Sequence, residues 1–190
     1  VPADHFEAVP RHYGLRHRPP HDTAFVSVRD RDGRRVMAMY SHGKGSYHVT
    51  GATPLDVKTS HDTAWALDKA GRQRIGVRRN DEDATLHITN GSGITTLFLR
   101  TDGKQWRGED QEGELRWVLK GAQNAWWMYD QNGHLLGSVR GGGNLITIRD
   151  AEGNKLYTIT RLEPLAGALW YLNRKNPYVS AALLGAFAAW

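Results

Sequence analysis

The chain of 190 residues contains no cysteine, which rules out disulfides, zinc–thiolate centres and cysteine nucleophiles. Proline is sparse, at 7 residues, and signals for helix starts are rare before the last segment. No run of five or six like charges occurs. The nearest, Arg29 to Arg35, is interrupted by Asp30 and Asp32, so there is no charged tail. No Gly-x-Ser-x-Gly or His-Glu-x-x-His is present. Gly43-Lys44-Gly45-Ser46 lacks the spacing of a phosphate loop, and Gly141-Gly142-Gly143 is followed by no helix signal. These absences lead to the expectation of a protein that is not an enzyme, with no cofactor and no small-molecule substrate.

Apolar residues make up 39% of the chain and charged residues 24%, which excludes a disordered chain and an integral helical membrane protein. The formal charge is +5, mostly from arginine, and favours anionic partners. The basic residues are dispersed and belong to no nucleic-acid module, so no nucleic-acid partner is expected. The chain opens Val1-Pro2-Ala3, which fits a processed export product, periplasmic or membrane-tethered as a lipoprotein; a cytosolic protein is the alternative.

What the chain has is glycine, 21 residues, and much of it is periodic. Asp-x-x-Gly occurs at Asp30–Gly33, Asp68–Gly71, Asp110–Gly113, Asp130–Gly133 and Asp150–Gly153, with Asn90–Gly93 as a variant. The steps between first residues are 38, 22, 20, 20 and 20. One unit is therefore missing near position 50, where Thr50-Gly51-Ala52-Thr53-Pro54 reads as a degenerate turn. In this tetrapeptide the Asp or Asn side chain accepts from backbone N–H groups ahead of it. Gly at the fourth position supplies the positive φ of a type I turn with a bulge. A twenty-residue period is one hairpin, and the flanks alternate as strands do. Leu115, Trp117 and Leu119 share one face; Leu86 and Ile88 share another. Ile146 and Ile148 are expected opposite Tyr157 and Ile159, and Trp65 and Leu67 opposite Ile75 and Val77. The segment Ala125–Tyr129 reads as a strand buried on both faces.

The end of the chain changes character. Asn176 is a good N-cap and Pro177 a good first helical residue. The segment after them is apolar all round, so it must be buried on every side or sit in lipid, as a plug or as part of a membrane anchor. It is short for a bilayer span, which takes about 20 residues. The expected fold is all-β: about twelve antiparallel strands in a hairpin-repeat barrel over 21–190, plugged by a helix at 177–190, with an extended arm at 1–20. Burial of Leu183, Leu184, Phe187 and Trp190 in such a lumen contributes roughly 1.5–3 kcal/mol each.

The layout resembles the tubby-like superfamily, which includes the LURP-one-related proteins and the phospholipid scramblases. Ala125–Arg140 resembles the family's unit of aromatic strand, Asp-x-x-Gly turn and small-residue strand; Leu145–Ile159 repeats it, and Ala181–Trp190 is similar to the central helix. The resemblance implies a binding or membrane-proximal role rather than a catalytic one. It carries over no site residue, and the acidic and Cys-rich segments of scramblases are missing. Asp-x-x-Gly hairpins also mark RHS repeats, which need far longer chains, and wall-binding repeats, which need no apolar terminal helix.

The expected function is a non-catalytic binding or scaffold domain near a membrane or cell envelope, with an anionic membrane surface or an envelope protein as partner. Docking to another envelope protein and glycan binding are the alternatives. The candidate binding residues are Arg34, Arg35, Trp126 and Trp127. Trp126 and Trp127 are adjacent on a strand, so their rings point to opposite faces and one can serve a surface. The histidines His5, His12, His17 and His21 match no compact ligand spacing, and no metal is expected. Asp81-Glu82-Asp83 reads as a solvated loop.

Overall fold

The computed structural model describes residues 24–142 and 144–190. The expected arm at 1–20, with His5, His12 and His17, lies outside them, as does His21. The strands are β1 (Ala24–Asp30), β2 (Arg35–Ser41), β3 (Ser46–Gly51), β4 (Leu55–Thr59), β5 (Thr63–Leu67), β6 (Gln73–Asn80) and β7 (Thr85–Asn90). They continue as β8 (Thr95–Thr101), β9 (Gln105–Asp110), β10 (Leu115–Ala122), β11 (Ala125–Asp130), β12 (Leu135–Gly142), β13 (Leu145–Asp150) and β14 (Lys155–Thr160). Two helices follow, α1 (Pro164–Leu172) and α2 (Pro177–Ala189).

Each strand pairs antiparallel with its chain neighbours, and β1 pairs with β14 to close the barrel. The all-β barrel with a C-terminal apolar helix is therefore the observed fold. The wall has fourteen strands, two more than expected, because the degenerate turn at 52–54 is a full hairpin connection.

The repeated turn explains the regularity of the wall. At Asp130, Oδ1 accepts from the N–H of Asn132 and of His134, both at 2.9 Å, and Gly133 N–H donates to the Asp130 carbonyl at 3.1 Å. Asp30, Asp68, Asn90, Asp110 and Asp150 make the same set of bonds. The fourth-position glycines have φ between 78° and 89°, where other residues are strained. Each turn brings a one-residue register shift into its hairpin. Because strands alternate in direction, all six turns and the 52–54 turn lie on one rim, called here the Asx rim.

The bulge corrects one expected pairing. Ile148 does face Tyr157 and Ile146 faces Ile159. On β5, however, Ala66 opposes Ile75 and Ala64 opposes Val77, while Trp65 lies opposite Gly76. The extra residue at the bulge turns Trp65 and Leu67 away from the lumen, since a one-residue slip moves every side chain to the other face.

A wall of this size encloses more space than side chains alone fill. Both helices lie inside it. The first helix was not anticipated: Pro164 starts it, and Leu165 to Tyr171 are buried. It rises from the end of β14 and packs on β11, β12 and β13. The chain reverses at Asn173–Asn176 on the Asx rim, and α2 descends along β4, β5 and β6. Asn176 caps it, accepting from Val179 N–H at 3.2 Å. Arginines of β6 meet both ends of this segment: Arg74 lies 4.9 Å from the Tyr178 ring centre and Arg79 5.4 Å from that of Trp190. Tyr178 to Trp190 is about 18 Å of helix, and Arg74 to Arg79 is about 17 Å of strand, so the two run side by side.

Candidate functional site

The four candidate binding residues fall in three places. Trp126 points into the lumen and is buried in the core, so it is not a surface residue. Trp127, its neighbour, faces outward and is half-buried; β11 is covered on its inner face only, not on both. Arg34 and Arg35 are exposed where the first Asx turn meets β2, and Arg35 Nη1 donates to the Tyr40 hydroxyl at 3.3 Å. Between β11 and β2 lie β12, β13, β14 and β1, so the fold does not bring these arginines to Trp127.

What gathers around Trp127 instead comes from neighbouring strands. Lys120 of β10 is its cross-strand partner, and Arg140 of β12 stacks over its ring with Cζ at 5.5 Å from the centre. Lys120 Nζ lies 5.4 Å from the centre of the Tyr129 ring, two residues along β11. The pattern recurs on β8, where Arg100 Cζ lies 5.3 Å from the centre of Phe98, and His87 of β7 meets Phe98 edge-on at 5.0 Å. Burial, then the charge of Arg78, holds His87 below the ordinary histidine range, so it serves there as a neutral ring. Arg107 continues the cationic row beside Arg100. Glu109 on the same face is largely covered and is engaged by Arg100 at 3.4 Å and Arg107 at 3.9 Å. The outer wall over β8–β12 thus carries a row of cations, of which Arg100, Lys120 and Arg140 set their charged heads over aromatic rings. Sequence reading found Trp127 but missed Lys120 and Arg140, which lie 7 and 13 residues away in the chain.

A second concavity opens on the Asx rim, between the helix pair and β2–β4. Its volume is about 370 Å³; Met37, Val49, Leu55, Trp170 and Ala181 make its apolar walls, and Arg174 and Lys175 stand at its mouth. Arg174 is held in place: its Cζ sits 3.9 Å from the centre of the Tyr171 ring, and Nη1 donates to the Tyr171 carbonyl at 2.8 Å. Outside the same 52–54 turn, Asp68 pairs with Arg72 at 3.3 Å and Arg74 at 3.6 Å. A backbone hydrogen bond from Arg72 leads the causes that hold the Asp68 carboxyl below its ordinary range.

A third depression, on the outer wall, is lined by Tyr40, His42, Ser46, His48, Asp56 and Lys58. His48 Nδ1 and Asp56 Oδ1 lie 2.8 Å apart across β3 and β4, both about half exposed. The pair is a hydrogen bond on the surface, and no hydroxyl among the described residues is hydrogen-bonded to His48. No group of three or more His, Asp or Glu among the described residues can hold a metal ion. Asp81, Glu82 and Asp83 are exposed in the β6–β7 turn. No described helix is long and apolar enough to cross a membrane.

No protein-family model and no curated protein matches the chain. Among solved structures, it is similar to the X-ray structure of a protein from Arabidopsis thaliana, with a TM-score of 0.41 and 12% identity over 80% of this chain and 91% of that one.

Proposed function

We propose that this protein is a non-catalytic binding domain that works against an anionic membrane surface. The observation that carries the reading is the cation–aromatic ladder of Tyr129, Lys120, Trp127 and Arg140 on the outer wall. Each Lys or Arg brought near an anionic leaflet contributes about 1 kcal/mol, attenuated by salt within a Debye length. Tryptophan and tyrosine suit the headgroup layer, where one end of the ring system is wet and the other apolar. The lumen is occupied by the chain's own helices, which supports an outer-surface role over transport through the barrel. The tubby-like resemblance points the same way. That resemblance rests on the sequence layout alone, and fourteen strands around two helices depart from the expected twelve around one.

The test is co-sedimentation with vesicles of neutral phosphatidylcholine, with and without phosphatidylserine. Binding is expected to require phosphatidylserine, to weaken with salt, and to be lost in the double variant Lys120→Glu, Arg140→Glu. No binding at low salt, or equal binding to neutral vesicles, would overturn the proposal.

A further inference from the structure

We propose that the rim cavity beside residues 52–54 is a binding site for a small amphiphile, an aliphatic tail ending in one anionic head. The site is distinct from the outer-wall ladder and stands or falls without it.

Three observations place it. First, the cavity lies where the repeat breaks. Six hairpins on the Asx rim close with the same Asp/Asn-x-x-Gly turn, and the one that does not contributes Gly51, Ala52 and Thr53 to the cavity wall. Second, the lumen is filled unevenly. At the level of the Asx rim β10 sends Trp117 inward, and its ring lies flush on Gly108; Trp106 and Trp126 lie toward the other rim, where β3 sends in Tyr47. Across the lumen, β2–β4 send in Met37, Val49 and Leu55, which are smaller, and space remains between them and the helices. Third, the chemistry of the opening is one-sided. The walls are mostly apolar, with Thr50, Thr53, Tyr157 and Ser180 as their polar members; the charged groups that line it are Arg174 and Lys175, and no acidic residue is among the described residues that line it.

A volume of about 370 Å³ lies in the usual range of ligand pockets, which are mostly apolar with a few polar groups that fix orientation. An alkyl tail satisfies the walls made by Val49, Leu55 and Ala181. The head then meets Arg174, whose guanidinium is already oriented by Tyr171, and Lys175. A carboxylate or a phosphate monoester supplies the same complement, an anion that accepts charge-assisted hydrogen bonds.

Isothermal titration calorimetry with decanoate, decyl phosphate and decanol, each below its aggregation threshold, tests the assignment. Saturable one-site binding is expected for at least one anion, with decanol weaker by roughly tenfold. The tighter of the two anions identifies the head group. Lys175→Glu, at an exposed position, is expected to reduce anion affinity and leave decanol unchanged, and Lys120→Glu, Arg140→Glu to leave all three unchanged. Filling the cavity by Val49→Phe is expected to abolish binding of all three ligands while far-UV circular dichroism stays that of the parent. Equal affinity for decanol and the anions, unaltered anion binding in Lys175→Glu, or no saturable binding by any ligand would overturn the proposal.

Discussion

Gly185 of α2 lies against Val57 of β4 so closely that a Cβ on the glycine would stand 2.5 Å from Val57 Cγ1. α1 does the same on another part of the wall, where a Cβ on Gly167 would collide with Ile146 Cδ1. Each helix therefore touches the wall through a glycine, and two helices fit side by side only because neither carries a side chain there. A glycine in mid-helix is ordinarily unfavourable by about 1 kcal/mol relative to alanine; here close packing reverses that preference.

Gly185→Ala is accordingly expected to destabilise the fold by about 1–3 kcal/mol, the usual range for overpacking. Adding Val57→Ala should return part of the loss, so the two changes will be non-additive. Urea denaturation of the two single variants and the double variant measures the coupling; strict additivity would show that the contact does not limit the packing.

Phe187 of α2 is fully buried in the barrel core. Phe187→Ala should cost about 3–5 kcal/mol in the same assay. A loss below about 1 kcal/mol, the scale of an ordinary surface change, would mean that the helix is not the packed centre of the barrel.

In four of the Asx turns, those of Asp68, Asp110, Asp130 and Asp150, the carboxyl is held below its ordinary range. At Asp130 the backbone N–H of His134 is the leading cause that holds the carboxyl below its ordinary range. A carboxylate whose folded value lies below its unfolded one stabilises the fold above the unfolded value, and that contribution is lost as pH falls through the folded value. Asp130→Ala is expected to lower the urea midpoint at neutral pH more than Asp130→Asn, because asparagine serves the same turn at Asn90. The deficit of Asp130→Asn should shrink as pH falls below the ordinary Asp value of 3.8. A deficit independent of pH would mean that charge contributes nothing there.

Glu163 shows the opposite sign. It precedes α1, its side chain makes no capping bond, and burial pushes its carboxyl above the ordinary value of 4.5. The folded state then favours the protonated form, so the cost of charging it is relieved as pH falls through the raised value. Glu163→Gln should raise stability at neutral pH, with a gain that vanishes below the ordinary Glu value. A loss of stability at neutral pH would reverse this assignment.

Trp190 ties the end of the helical segment to the wall, its Nε1 donating to the Ser60 carbonyl at 3.1 Å. Trp190→Phe keeps the ring that Arg79 covers and removes the bond, so it should cost about 1 kcal/mol. Trp190→Ala loses the packing as well and should cost at least about 3 kcal/mol. Thermal denaturation of the pair separates the two contributions.

The amino-acid order alone determined the turns and therefore the hairpins. Every bond that makes an Asx turn joins residues within five positions of one another, so Asp130-Gln-Asn-Gly133 carries its own instruction. It likewise determined α2, because Asn176, Pro177 and the all-apolar run are local signals. Only the tertiary structure decided which face Trp65 takes, since a bulge shifts the register by one residue. It also decided that α1 shares the lumen, that Lys120 and Arg140 flank Trp127, and that space remains beside Val49 while the Trp117 indole fills the far side. Those arrangements depend on closure of β1 onto β14 and on volumes summed across the barrel, and no local run of residues encodes either.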